Sequence, residues 1–174
     1  VEPGALVVLA LGGGLAALTA ASFVFRVAGV WERTVSSAER EAGARPERIT
    51  LAQLGPLVTG RRDVVGGHQE YSGFLIGSKL RLTRRDHGVK ALIGMGFPEP
   101  IAQRLDGEVT AKLELDLRDG VVLSGTFTPQ KVEFTHQPAR ITRSFFLAPQ
   151  PRTYRRVDVV TVPVDPVVEP GDGG

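Results

Sequence analysis

The sequence predicts an α+β protein that is mainly β: an N-terminal transmembrane helix followed by a small antiparallel β barrel or sandwich with a short helical insert. Three observations carry this. Residues 5–25 run without a charge, residues 108–118 alternate strictly, and only residues 89–105 read as helix in the body of the chain.

The first stretch is ALVVLALGGGLAALTAASFVF. At a rise of ~1.5 Å per residue, such a run spans roughly the 30 Å hydrocarbon core of a bilayer. In lipid every backbone group must be satisfied within the segment, which dictates a helix. Gly12-Gly13-Gly14 would weaken a helix in water but is tolerated in lipid. A cleaved signal peptide is the competing reading. Against it stand Glu2, the lack of Lys or Arg before the run, and a length beyond the usual apolar core of a signal.

Arg26, Arg33, Arg40 and Arg45 follow the run, within the window where the positive-inside rule acts. The expectation is a single-pass bacterial inner-membrane protein with its soluble domain in the cytoplasm, or in the periplasm if an upstream basic segment precedes Val1. The expected organisation is an anchor with flanks over 1–30, a polar stalk over 31–48, a β-rich domain over 49–162 and a Pro/Gly/acidic tail over 163–174. Within this scheme Val27, Val30, Trp31 and Val35 continue the helix on one face, with Trp31 at headgroup level.

The β-rich body is read element by element. Leu51, Leu54, Leu57 and Val58 are interrupted by Gly55-Pro56, giving a strand or a helical turn. RRDVVGGHQEYSG (61–73) is dense in turn formers around Gly66-Gly67. Phe74–Thr83 reads as one strand and Arg84–Gly88 as a turn. Two short helices are expected over 89–94 and 98–105, broken by Gly94, Gly96, Pro98 and Pro100. In 108–118 Val109, Ala111, Leu113, Leu115 and Leu117 alternate with polar residues, and Asp119-Gly120 is a hairpin pair. Three further strands follow over 121–135, 139–147 and 152–162.

Charge is unevenly distributed. Residues 1–48 hold five Arg and five Glu; residues 49–157 hold sixteen Lys/Arg against ten Asp/Glu; residues 158–174 carry four acidic residues and no base. A basic domain favours an anionic neighbour. With no cysteine in the chain, disulfides, thiolate metal sites and a cysteine nucleophile are excluded.

Catalytic signatures are missing as well. Ser72, Ser78, Ser124 and Ser144 lack a Gly-x-Ser-x-Gly frame, and the glycine pairs form no phosphate loop. No cofactor is implied. His68, His87 and His136 lack tight ligand spacing, so no metal is assigned; His68 and Glu70 would share a face only in an extended segment.

The segment VKALIGMGFPEPIAQRL (89–105) locally resembles the Met-Gly-Phe segment of ubiquitin-associated domains. Those are three-helix bundles, and alternation resuming at Val109 leaves no room for a third helix. Met95 and Phe97 are therefore expected to pack against the sheet.

Most suggestive are the pairs Arg61-Arg62, Arg84-Arg85 and Arg155-Arg156. Few aromatic residues accompany them, which disfavours nucleic acid and favours anionic lipid headgroups or a membrane-protein partner. The expected function is a binding or scaffolding module at the membrane. The alternative is a membrane-tethered enzyme or lipid/small-ligand carrier with a polar site in the 61–71 and 84–88 loops. The binding residues expected for either are Arg61, Arg62, His68, Glu70, Tyr71, Arg84, Arg85, Asp86 and His87.

Overall fold

The computed structural model describes residues 25–157. Nine strands and three short helices follow in the order β1 (Gly29–Arg33), α1 (Ser37–Glu41), β2 (Arg48–Leu54), β3 (Leu57–Val64), β4 (Gly67–Ile76), β5 (Lys79–His87), α2 (Val89–Gly94), α3 (Glu99–Leu105), β6 (Val109–Arg118), β7 (Val122–His136), β8 (Ala139–Phe146) and β9 (Gln150–Arg156). Neighbouring strands pair antiparallel in the order β6-β5-β4-β3-β2-β1-β9-β7, and β6 pairs again with β7. Eight strands thus close into a barrel, which decides between barrel and sandwich. The second half of β7 leaves the wall and pairs with β8 as a protruding hairpin.

Closure requires close backbone approach. A Cβ on Gly73 would stand 1.9 Å from the Arg81 carbonyl oxygen, and one on Gly125 2.0 Å from that of Glu114. Both are positions where only glycine lets the wall coil tightly.

One half of the interior is apolar. Val27, Trp31, Ile49, Leu51, Val58, Leu75, Leu80, Leu82, Leu113, Leu115, Leu117 and Leu123 form a single buried cluster with Tyr71 and Tyr154. These residues come from alternate positions of every wall strand, as the two-residue period of a half-buried strand demands. The insert α2–α3 buries Ala91, Leu92, Ile101 and Ala102. It sits between the barrel and the protruding hairpin, where Phe97 meets Phe134 with ring centroids 5.7 Å apart.

Several expectations are corrected. The helical continuation over 26–35 is instead the first barrel strand, paired to β2 on one side and β9 on the other. Trp31 lies inside the barrel with no exposed surface, its indole N–H donating to the Val27 carbonyl at 2.7 Å. Residues 31–48, expected as a stalk, include the end of that strand, the start of β2 and α1, whose N-terminus Ser36 and Glu39 cap with reciprocal bonds.

The strand expected over 74–83 is a hairpin. Leu75 and Leu80 both point inward although five apart, an odd spacing that no continuous strand allows. The turn between them is carried by Gly77 at φ +58°. Likewise 61–73 is mostly strand on both sides of a tight tip, and 84–87 is the end of β5 rather than a turn. Six expected strands become nine for these reasons. Met95, expected as core, is half exposed.

Both short helices and the Asp119-Gly120 turn stand where the sequence puts them. The apolar run over 5–25 lies, apart from Phe25, outside the described residues, as does the tail over 163–174. Among the described residues no helix is long and apolar enough to cross a membrane.

Candidate functional site

Strand alternation decides the fate of every residue expected to bind. Adjacent residues face opposite sides of a wall, so each Arg pair is split. In β3 Arg61 points outward to Asp63 at 2.9 Å, whereas Arg62 points inward. In β5 Arg84 and Asp86 face the interior, while Arg85 and His87 face outward. Tyr71 is interior; His68 and Glu70 are on the outer wall. The surface patch expected from the Arg pairs therefore does not form as such. Replacing Arg84 would disturb the interior and not a lipid-facing patch.

The inward set forms a polar network at the barrel end away from the β2–β3, β4–β5 and β6–β7 turns. Glu47, just before β2, is its hub. It accepts from Arg62 Nη1 at 2.9 Å and from the Tyr154 hydroxyl at 3.0 Å, and Arg152 Nη1 lies 3.5 Å away. Arg62 also donates to Gln69 at 3.0 Å, and Gln69 accepts from the Tyr71 hydroxyl at 3.2 Å. Beside it Arg84 pairs with Asp86 at 3.1 Å and donates to Thr110 at 3.0 Å. Thr110 is available because the β5–β6 register shifts at Arg84/Arg85, leaving it unpaired in the ladder. Phe127 carries the Arg152 guanidinium 4.4 Å from its ring centroid and that of Arg84 at 5.4 Å. Arg33 pairs with Glu39 at the rim.

These groups pair across the barrel axis, although Arg33 Nε, Asp86 Oδ1 and Arg152 Nε are buried without a hydrogen-bond partner. The sequence singles out Arg62, Tyr71, Arg84 and Asp86. It misses Glu47, Arg152 and Phe127, because partners distant in the chain, 107 residues for Glu47 and Tyr154, leave no local signal.

The low-dielectric interior is visible in the tyrosines. Burial is the main cause that pushes Tyr71 up to about 12 and Tyr154 higher still, with the Glu47 carboxylate adding to both. Because the folded phenols ionise later than unfolded ones, their stabilising effect is complete below pH ~10 and declines above it. For Tyr71 the loss runs from pH ~10 to 12, roughly 1.4 kcal/mol by pH 11. Urea midpoints should therefore be flat up to pH 9 and fall by pH 11. Tyr71→Phe should reduce that fall, and an unchanged pH profile in the variant would exclude Tyr71 as a source.

The outward set brings together His68, Glu70 and His87. His68 and His87 are cross-strand partners, and their rings stack at 4.8 Å with an 11° interplanar angle. Glu70 Oε2 lies 3.2 Å from His87 Nε2, and Asp106 Oδ1 lies 4.0 Å from His87 Nδ1. His136 is elsewhere, against Phe134 on the protruding hairpin.

A broad outer-wall groove, about 570 Å³, runs beside this cluster over β3–β6, floored by Thr59, Ser72, Thr83 and Lys112 and rimmed by Phe74 and Arg85. Comparison with protein-family models, with curated proteins and with solved structures finds no match for this chain.

Proposed function

We propose that the chain is a single-pass membrane-anchored binding or scaffolding module whose barrel stands with one particular end against the bilayer surface. One observation carries this: the barrel end at which the chain enters from the apolar run is also ringed by exposed apolar side chains. Antiparallel order puts the β2–β3, β4–β5 and β6–β7 turns at that end. Leu54, Leu57, Phe74, Ile76 and Val121 are exposed on or beside these turns, with Leu54 80 % accessible. The entry point is fixed there, because Gln53 accepts from the Val27 N–H at 2.9 Å and donates to the Phe25 carbonyl at 3.1 Å.

Exposed apolar groups gathered on one surface, interspersed with the exposed cations Arg26, Lys79 and Arg118, suit a headgroup layer. Asp119 stands among them and tempers the attraction. The positive-inside rule applied to Arg26, Arg33, Arg40 and Arg45 puts the barrel on the cytoplasmic face. A carrier or enzyme reading has less behind it, since ion-paired side chains occupy the polar end of the interior.

The test uses the lack of cysteine. The full chain carrying Leu54→Cys or Val65→Cys, labelled with an environment-sensitive fluorophore, is reconstituted in vesicles. Val65 is 98 % exposed at the opposite end. The label at residue 54 should emit at shorter wavelength and be quenched by a lipid-borne quencher, while the label at 65 should not. Equal, water-like emission at both positions would show that the barrel stands clear of the bilayer.

A further inference from the structure

We infer that His68, Glu70 and His87 form a binding site for one divalent transition-metal ion of the zinc class on the outer wall of the barrel. The argument starts from strand geometry. β4 is extended at this point, so His68 and Glu70 project to the same side. Register then places His87, the last residue of β5, directly opposite His68. One ligand atom from each of the three residues falls within a span of 4.8 Å. Ligand atoms bound at ~2.0–2.1 Å in a tetrahedron stand about 3.3 Å apart, so modest side-chain rotation closes the set. The Glu70–His87 pair, at 3.2 Å, already has that spacing.

A second observation concerns His87 Nε2. It is sealed from solvent and makes no hydrogen bond; Glu70 Oε2 lies 3.2 Å away without hydrogen-bond geometry. A buried polar atom in that condition costs stability unless something coordinates it. On the far side of the ring, Asp106 lies toward Nδ1 and is itself held by the Gly88 N–H at 2.9 Å. At 4.0 Å Asp106 Oδ1 does not yet accept from Nδ1, but a small ring rotation on ion binding would bring the N–H to it, the carboxylate contact that fixes ring orientation and raises ligand basicity at metal sites. Gly107 permits the ring to lie there, since a Cβ on it would come within 3.3 Å of His87 Cε1.

Two imidazoles and a carboxylate suit zinc and its neighbours rather than calcium or magnesium, which take oxygen ligands. Three protein ligands leave a fourth position for water or for an incoming group. Two cations stand cross-strand from Glu70, and both are engaged elsewhere: Arg85 by the Gly107 carbonyl at 3.0 Å and Arg61 by Asp63 at 2.9 Å. Because Asp106 and Gly107 close α3, the ion would also tie down the base of the α2–α3 insert.

The chain has three histidines, so its imidazole NMR spectrum contains three side-chain systems. Adding ZnCl2 to the full-length protein should shift His68 and His87 and leave His136 in place, saturating at one equivalent. Cobalt(II) titration should give the visible absorption of a four-coordinate ion. His87→Ala and His68→Ala should abolish that absorption, Asp106→Asn should weaken affinity about 10–100-fold, and His136→Ala should change neither. Unmoved His68 and His87 signals, or cobalt binding that survives both histidine substitutions, would overturn the site.

Discussion

Trp31→Ala should lower the unfolding free energy of the barrel by about 3–5 kcal/mol, the usual cost of deleting a fully buried large aromatic side chain. Trp31 has no exposed surface, and its ring fills the apolar half of the interior beside Val27, Ile49 and Leu51. Its N–H is bonded to Val27, and the Arg156 guanidinium lies 5.2 Å from its ring centroid. Arg156 in turn donates to the Arg26 and Ala28 carbonyls and to that of Gly120. Removing the ring therefore opens a cavity and also loosens the seam where β1 meets β9. For a barrel of this size the melting temperature should fall by roughly 10–15 °C. Thermal melts followed by far-UV circular dichroism on the full chain measure it. If Trp31 instead sat at a headgroup layer, the same substitution would leave the melt nearly unchanged and alter only lipid-dependent signals.

That contrast shows where the sequence was legible. Alternation in Val109–Leu117, bounded by Asp119-Gly120, specifies β6 and its turn, because one wall faces a core and the other faces water. The short helices over 89–105 are equally readable from their glycine and proline boundaries. Trp31 was not, because β1 has only five residues and adjoins an apolar run. In so short a strand, helical and extended spacing are hard to separate, and the pull of the run decides wrongly.

The candidate sites show a different limit. The sequence marks the stretches 61–71 and 84–88 as polar, and β3, β4 and β5 gather them at one end of the barrel. Reading them as loops hid the rule that sorts them. Once they are strands, odd and even positions part company: Gln69, Tyr71, Arg84 and Asp86 go inward, and His68, Glu70 and His87 outward. Metal spacing on adjacent strands is a matter of register and not of sequence separation. His68 and His87 therefore stand nineteen positions apart in the chain while their rings stack in space.

Glu47→Gln should destabilise the fold by about 3 kcal/mol, because the substitution keeps the shape of the hub and removes its charge. Arg62, Arg84, Arg152 and Arg33 surround the polar end of the interior, and Glu47, Asp86 and Glu39 are the carboxylates opposing them. Glu47 serves two of the four cations and also accepts from Tyr154, so its neutral replacement leaves Arg62 and Arg152 without a countercharge. Arg152 is only 10 % exposed and has little access to water for compensation. The electrostatic origin can be separated from packing by a double-substitution cycle. Arg62→Met should cost less in the Glu47→Gln background than in the native protein, by about 1–2 kcal/mol, because the cation it removes has already lost its partner. Urea denaturation of the four proteins gives the coupling directly. A coupling near zero would mean that Glu47 acts through shape and its bond to Tyr154 alone, and that the interior arginines are stabilised by Phe127, Gln69 and solvent instead of by charge pairing.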